Sequence, residues 1–344
     1  MKQPAKILFV LVLYVLTGCA GNEPIHQTMP GVSLLSPEIK KELRTVEQSI
    51  VGLDTEIKYE IQRFEYIIEN DQFIPDSDSP VGYKLSSSNN GVSIESESRT
   101  LKGGGLIIDI DLNRKGYCIL TSSHLVSPPD TVDVYYQDES GKPTDVLFAR
   151  HVLRKTTIAV RGRSNWLSNG NLIADDKAND IAIIYVETDN ALGNAFGNPI
   201  GYDMNLDWGD WVFLFGYPNG IKQMSGGWIS KSPYPGTFAI DAAIRFGFSG
   251  GPLFVLTSDH KLAYVGMIKS APRRTLDYIT PGSEMPIGYM LNEEDFYALK
   301  VTRENLVEYG TAYCVAPKTI RRFMRKYRDT LVEKHIVLDP KYFD

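Results

Sequence analysis

Cysteine and histidine are scarce, at three and five residues among 344. The cysteines form no CxxC pair and the histidines no HExxH motif, so a disulfide framework, a thiolate zinc site and a zincin centre are excluded and no metal is expected. No glycine-rich loop leads from a strand into a helix. Phosphate cradles of the Walker and Rossmann kinds are therefore absent, and no cofactor is implied. Positive charge is in deficit, with 36 Lys and Arg against 42 Asp and Glu and a net charge of -6. No basic stripe interleaves with aromatics, which leaves nucleic acid out as a partner. Tandem repeats are absent too. What is present is 43% hydrophobic and 23% charged residues, the balance of a folded, soluble body, and the length suits two folding units at roughly 150 residues each.

The first residues read as an address rather than as structure. Lys2 and Lys6 precede an apolar run from Ile7 to Val15, and Leu16-Thr17-Gly18-Cys19 closes it. A run of about 9 residues is too short to span a bilayer and suits a signal peptide over 1–18. Its closing residues resemble the lipobox of bacterial lipoproteins. That resemblance implies an acylated Cys19 as the first mature residue, hence a membrane as partner and the bacterial cell envelope as location. With Ala20 after the cysteine, the implied site is the periplasmic face of the outer membrane where two membranes exist. A tether over 19–36 follows. Ser36 is placed to cap a helix opening at Pro37, with Glu38 near the positive end of its dipole. Ile39, Leu43, Val46, Ile50, Leu53 and Ile57 recur at alternating spacings of four and three, resumed by Ile61, Phe64 and Ile68. This predicts an amphipathic helix over 37–72. Its seam either zips to a second copy, making a homo-oligomer, or packs across the rest of the chain. The Ser-, Asn- and Asp-rich stretch 73–99 reads as a linker.

Beyond it, short β-branched and aromatic runs alternate with Gly, Pro and Asp turns, among them Leu106–Ile110, Tyr117–Thr121, Ile181–Val186, Val212–Phe215 and Ala263–Lys269. The pattern is mainly β. Three passages in it carry chemistry. The strand Gly116–Thr121 delivers His124 into a polar turn, where an imidazole titrating near neutrality can take and return a proton. Asp180 stands immediately ahead of an apolar strand, and a carboxylate at a strand mouth orients a histidine and stabilises its imidazolium. Ser249 lies in Gly247-Phe248-Ser249-Gly250-Gly251-Pro252. The glycines there permit a tight loop that exposes the hydroxyl and turns the amides of Gly247 and Ser249 into one concavity, as an oxyanion hole requires. Alone, His124 and Asp180 each read as ordinary structural residues. In the order His, Asp, Ser the three form a triad.

Taken together, these passages resemble the chymotrypsin-fold (trypsin-like) serine proteases, nearest the bacterial high-temperature-requirement (HtrA/Deg) branch. Lys102-Gly103-Gly104-Gly105 is similar to the family's opening strand. Thr121-Ser122-Ser123-His124 is similar to its histidine turn, with serines where Ala or Asn is usual, and Asn179-Asp180-Ile181 to its aspartate strand. The stretch from Trp208 to Gly220 resembles the strand opening the second barrel, Ile240 to Leu253 the nucleophile segment, and Ala312 to Ala316 the last strand. The resemblance implies two six-stranded antiparallel β-barrels, the first over 100–205 and the second, with a C-terminal helix, over 206–335, before a tail over 336–344. It implies catalysis by His124, Asp180 and Ser249, an oxyanion hole from the Gly247 and Ser249 amides, and a protein or peptide substrate. Phe248 stands where trypsin-like zymogens carry an aspartate, so activation through an N-terminal salt bridge is not expected. Arg245 and Phe246 replace the branch's Asn and Pro. No PDZ domain is expected, since about sixteen residues follow the basic helix around Arg321–Arg328. Lys155–Ala178 and Pro272–Gly310 read as insertions.

By the fold's spacing the floor of the substrate pocket falls at Ala243, with Ile244 and Arg245 beside it and Lys269, Ser270 and Ala271 on the far wall. Val, Leu, Ile or Ala is therefore expected before the cut. Cys118 and Cys314 read as free core residues from different barrels. The expected function is an envelope-anchored serine endopeptidase. Two alternatives stay open: a trypsin-fold binding or scaffold lipoprotein with little turnover, and an acyl hydrolase using the same triad.

Overall fold

The computed structural model describes residues 35–344 except 71, 112, 139–140, 164–166, 282–298 and 308–309. The signal segment, Cys19 and nearly all of the tether lie outside the described residues. Residues up to Lys40 form one unit and Lys41–Asp344 another. Helix α1 (Pro37–Glu47) opens as the sequence predicts, with the Ser36 hydroxyl accepting the Ile39 amide at 3.3 Å.

The helix expected over 37–72 stops at Glu47, and strand β1 (Ile50–Phe64) takes its place. Leu53, Thr55, Ile57, Tyr59 and Ile61 are buried and alternate with more exposed Asp54, Glu56, Lys58, Glu60 and Gln62. A repeat of four is also a multiple of two, so the same apolar positions satisfy a strand. The β-branched Ile50, Val51, Thr55 and Ile57 favour it, and Gly52 inside a helix costs about 1 kcal/mol relative to Ala. Pairing decides the matter: β1 is hydrogen-bonded to β4 (Val92–Asp111) on one edge and to β7 (Pro143–Arg161) on the other. The apolar seam, read as either zipping to a second copy or packing across the chain, is thus consumed inside the fold, and the homo-oligomer through 37–72 loses its basis. The stretch expected as a linker is shorter than 73–99, because β4 begins at Val92. After β1 comes a small hairpin, β2 (Ile68–Glu69) and β3 (Gln72–Phe73). The rings of Tyr66, Phe73, Tyr83 and Tyr136 then hold the loop, with centroids 5.1 to 6.2 Å apart.

The remaining strands of the first sheet are β5 (Gly116–Thr121), β6 (Thr131–Gln137), β8 (Leu167–Asp176) and β9 (Ile181–Glu187). Their order is β1-β4-β5-β9-β8-β7, closed by the β1–β7 pairing, with β6 continuing the sheet outward from β7. This barrel starts near residue 50, not 100. Lys155–Ala178 is no insertion, since it supplies parts of β7 and β8. The second barrel is closed in the order β10-β11-β12-β17-β14-β13. Its strands are β10 (Trp211–Gly216), β11 (Gln223–Lys231), β12 (Thr237–Ile240), β13 (Pro252–Leu256), β14 (Leu262–Ser270) and β17 (Ala312–Val315). Between β14 and β17, β15 (Arg273–Pro281) and β16 (Leu299–Val307) form a separate two-stranded sheet. The architecture is mainly β, with two closed six-stranded antiparallel barrels, as expected. Each is filled by its own apolar set: Val51, Ile107, Ile119, Val160 and Ile184 in the first, Val212, Leu214, Phe248, Leu253 and Val265 in the second.

Among the described residues three further α-helices follow: the single turn α2 (Ser123–Val126), α3 (Pro317–Lys326) and α4 (Arg328–Glu333). Arg321 on α3 meets Asp203 at 2.9 Å and donates to the Asp344 carbonyl at 2.7 Å. The last residues are part of the fold and not a loose tail. Ile336, Leu338 and Tyr342 are buried, and the Tyr202 hydroxyl donates to the Tyr342 carbonyl at 3.0 Å. Cys118 and Cys314 are both free and buried, as expected, and burial pushes both thiols up.

Candidate active site

Strand β5 ends at Thr121 and the chain turns at once into α2, which carries His124. Three hydroxyls hold this turn. Thr121 donates to the Gly104 carbonyl at 2.8 Å, Ser122 donates to the Ile268 carbonyl at 3.1 Å, and Ser123 donates to the Asp175 carboxylate. The Ser122 bond joins the first barrel to β14 of the second, which gives a physical role to a serine where the resembling family has Ala or Asn.

Asp180 follows a turn closed by Asp176, whose carboxylate accepts the Asn179 amide at 3.1 Å. Asp180 itself has φ 61, a left-handed conformation uncommon outside glycine but tolerated by Asp and Asn. That twist aims its carboxylate at His124. Nδ1 of His124 lies 2.8 Å from Oδ2 and 3.0 Å from Oδ1, and the His124 backbone amide donates to Oδ1 at 2.8 Å. The Asp180 side chain is 9% exposed and that of His124 43%. A carboxylate oxygen accepts, so Nδ1 is assigned the proton and Nε2 is left as a base facing the cleft.

Ser249 sits in a double turn: the Phe248 amide donates to the Arg245 carbonyl at 3.2 Å and the Gly251 amide to the Phe248 carbonyl at 2.9 Å. Gly247 has φ 105, and a Cβ there would lie 2.6 Å from the Tyr217 carbonyl oxygen. Only glycine meets both constraints. Among the described residues the amides of Gly247 and Ser249 donate to no protein acceptor. The loop is fastened to both barrels, by the Gly104 amide donating to the Ser249 carbonyl at 2.8 Å and the Gly250 amide to the Ile268 carbonyl at 2.9 Å. Close approach explains the glycine run on β4 as well, since a Cβ on Gly103 would stand 2.7 Å from the Ser249 carbonyl oxygen.

His124, Asp180 and Ser249 line one cleft of about 260 Å³ between the barrels, together with Ile244, Arg245, Lys269, Ser270 and Ala271. Phe246 and Ile268, outside the set expected for the pocket, line it as well. Ala243, expected as the floor, does not line it. In this extended stretch Ala242 and Ile244 turn inward, and Ala243, between them, faces out. Arg245 donates to the Gln223 side chain at 3.0 Å, and among the described residues it pairs with no Asp. Asp241 is structural, its carboxylate accepting the Trp228 amide. Among the described residues no hydrogen bond joins Ser249 Oγ to His124 Nε2; such bonds are often long before substrate binds. Also among the described residues, no group of three or more His, Cys, Asp or Glu is placed to hold a metal ion.

Two closed six-stranded antiparallel barrels with such a cleft between them constitute the chymotrypsin fold. Residues 103–266 match the family model of the trypsin-like peptidase domain. Among solved structures the chain is similar to the HtrA-type protease AlgW with a decapeptide, at 15% identity and a TM-score of 0.45, over 86% of this chain and 69% of that one. It is also similar to the serine endoprotease from Yersinia pestis, at 15% identity and a TM-score of 0.43, over 88% and 70%. No protein of curated function matches the chain.

Proposed function

We propose that the protein is a serine endopeptidase in which Ser249 is the nucleophile, His124 the general base and acid, Asp180 the group holding the imidazole, and the Gly247 and Ser249 amides the oxyanion donors. The observation that carries this reading is the buried Asp180 carboxylate on His124 Nδ1, at 2.8 Å, in the cleft that also holds Ser249. Ser249 Oγ adds to the scissile carbonyl carbon and its proton passes to Nε2. The carbonyl oxygen becomes an anion held by the two unspent amides. Collapse expels the amine, which takes the proton from Nε2, and water repeats the sequence on the acyl-enzyme. The trypsin-like peptidase match over residues 103–266 supports this reading.

With Ala243 outside the cleft, the cleft's apolar lining is Ile244, Phe246, Ile268 and Ala271. Burying a Val or Leu side chain there contributes about 1.5–3 kcal/mol. A peptide library is expected to be cut after Val, Leu, Ile or Ala; cleavage mainly after Lys, Arg, Asp or Glu, or hydrolysis of short esters alone, would contradict the proposal. Gly247→Ala, whose Cβ would press on the Tyr217 carbonyl and displace one oxyanion donor, should lower kcat about 10²- to 10³-fold and lower the melting temperature as well. Normal turnover would show that this amide takes no part. The envelope location rests on the lipobox. Cys19→Ser should release the protein into the aqueous phase of a detergent partition, and a variant still retained in the detergent would remove the lipid anchor from the account.

A further inference from the structure

The cleft does not end at the triad. On the first-barrel side of His124 it opens into a second cavity of about 660 Å³. Its walls come from the first sheet: Ile57 on β1, Leu101 on β4, and Val132 and Val134 on β6, with Pro128 and Pro129 after α2. Tyr59 completes the wall, and its hydroxyl already donates to the Pro129 carbonyl at 2.9 Å, so what it offers a ligand is the ring. Such a space admits a large apolar side chain.

Among the described residues three of its four charged lining residues, Arg99, Lys177 and Lys269, are cationic and the fourth is Asp180. Lys177 and Lys269 stand at the lip, Lys269 on the ridge shared with the Ser249 cleft. Among the described residues neither ammonium has an ion-pair or hydrogen-bond partner. Among the described residues Asp180 is the one carboxylate lining either cavity and is engaged by His124, while Arg99, which lines the second, is bound by Glu97. Two uncommitted cations beside an apolar cavity, on a chain whose net charge is -6, concentrate a field that draws anionic groups.

We propose that this cavity is a second specificity subsite, and that Lys177 and Lys269 select substrate polypeptides carrying an acidic residue next to a bulky apolar one near the scissile bond. The inference rests on the endopeptidase reading for the path of the polypeptide. The occupant is the substrate itself, because both cavities share His124, Asp180 and Lys269, so a chain lying across Ser249 passes this mouth.

The test titrates full-length Ser249→Ala protein with three fluorescent octapeptides that differ at two neighbouring positions, Leu-Glu, Leu-Lys or Ala-Glu, read by anisotropy. Leu-Glu is expected to bind about tenfold tighter than Leu-Lys, an advantage that shrinks at about 0.5 M NaCl. Lys177→Glu combined with Lys269→Glu reverses the preference. Lys231→Glu, exposed on β11 outside both cavities, leaves it unchanged. Val134→Trp, at a partly exposed strand position, fills the cavity and brings Leu-Glu down to the level of Ala-Glu. Equal binding of Leu-Glu and Leu-Lys, or a preference indifferent to the double lysine change, overturns the inference. The parent protein separates the two readings. Cutting without charge preference overturns the subsite alone, whereas discriminating binding with no cutting by the parent overturns the endopeptidase reading alone.

Discussion

Ser249→Ala is expected to lower turnover of a peptide substrate by about 10⁶-fold, with thermal unfolding unchanged. On the proposed mechanism the size follows from what is removed, the oxygen assigned to form the acyl bond, without which His124 would have no proton to accept. The fold should not notice. The loop is held through main-chain groups, the Gly104 amide on the Ser249 carbonyl and the Gly250 amide on the Ile268 carbonyl, and both survive the change. Turnover equal to that of the parent would end the endopeptidase reading.

Asp180→Asn is expected to cost about 10⁴-fold in kcat. Asp180 accepts two donors from His124, the backbone amide and Nδ1–H. Asn has one carbonyl oxygen and one NH₂. With the oxygen kept on the backbone amide, the NH₂ faces Nδ1, which must then give up its proton, leaving it on Nε2 where it blocks proton uptake from Ser249. Asn tolerates a φ of 61 as well as Asp does, so the loss should appear in kcat with little change in melting temperature. A variant retaining most of the parent's kcat would show that the Asp180–His124 bond does not set the imidazole's tautomer.

How legible these features were depended on whether the decisive interaction was local. The residues proposed as the triad lie in short passages whose chemistry is written in adjacent residues: glycines around Ser249, an apolar strand after Asp180, a strand before His124. The alternating runs of the second barrel were equally plain. Strand β1 was not, because Leu53, Ile57 and Ile61 satisfy a helix face and a strand face alike, and only its pairing with β4 and β7 distinguishes them. The first half of β4 looked like a linker because, as a half-exposed strand, it carries Ser and Glu. Ala243 was misplaced by one step of an alternating backbone. The inter-barrel bond from Ser122 to Ile268 spans 146 positions and leaves no pattern within either passage.

The central claim is that Ser249 is a nucleophile made reactive by His124, and a fluorophosphonate probe tests it most directly. The probe should label the protein once, on Ser249 by peptide mass spectrometry, and His124→Ala should abolish that labelling. No labelling of the parent protein, or labelling of Ser249 that persists without His124, would contradict it.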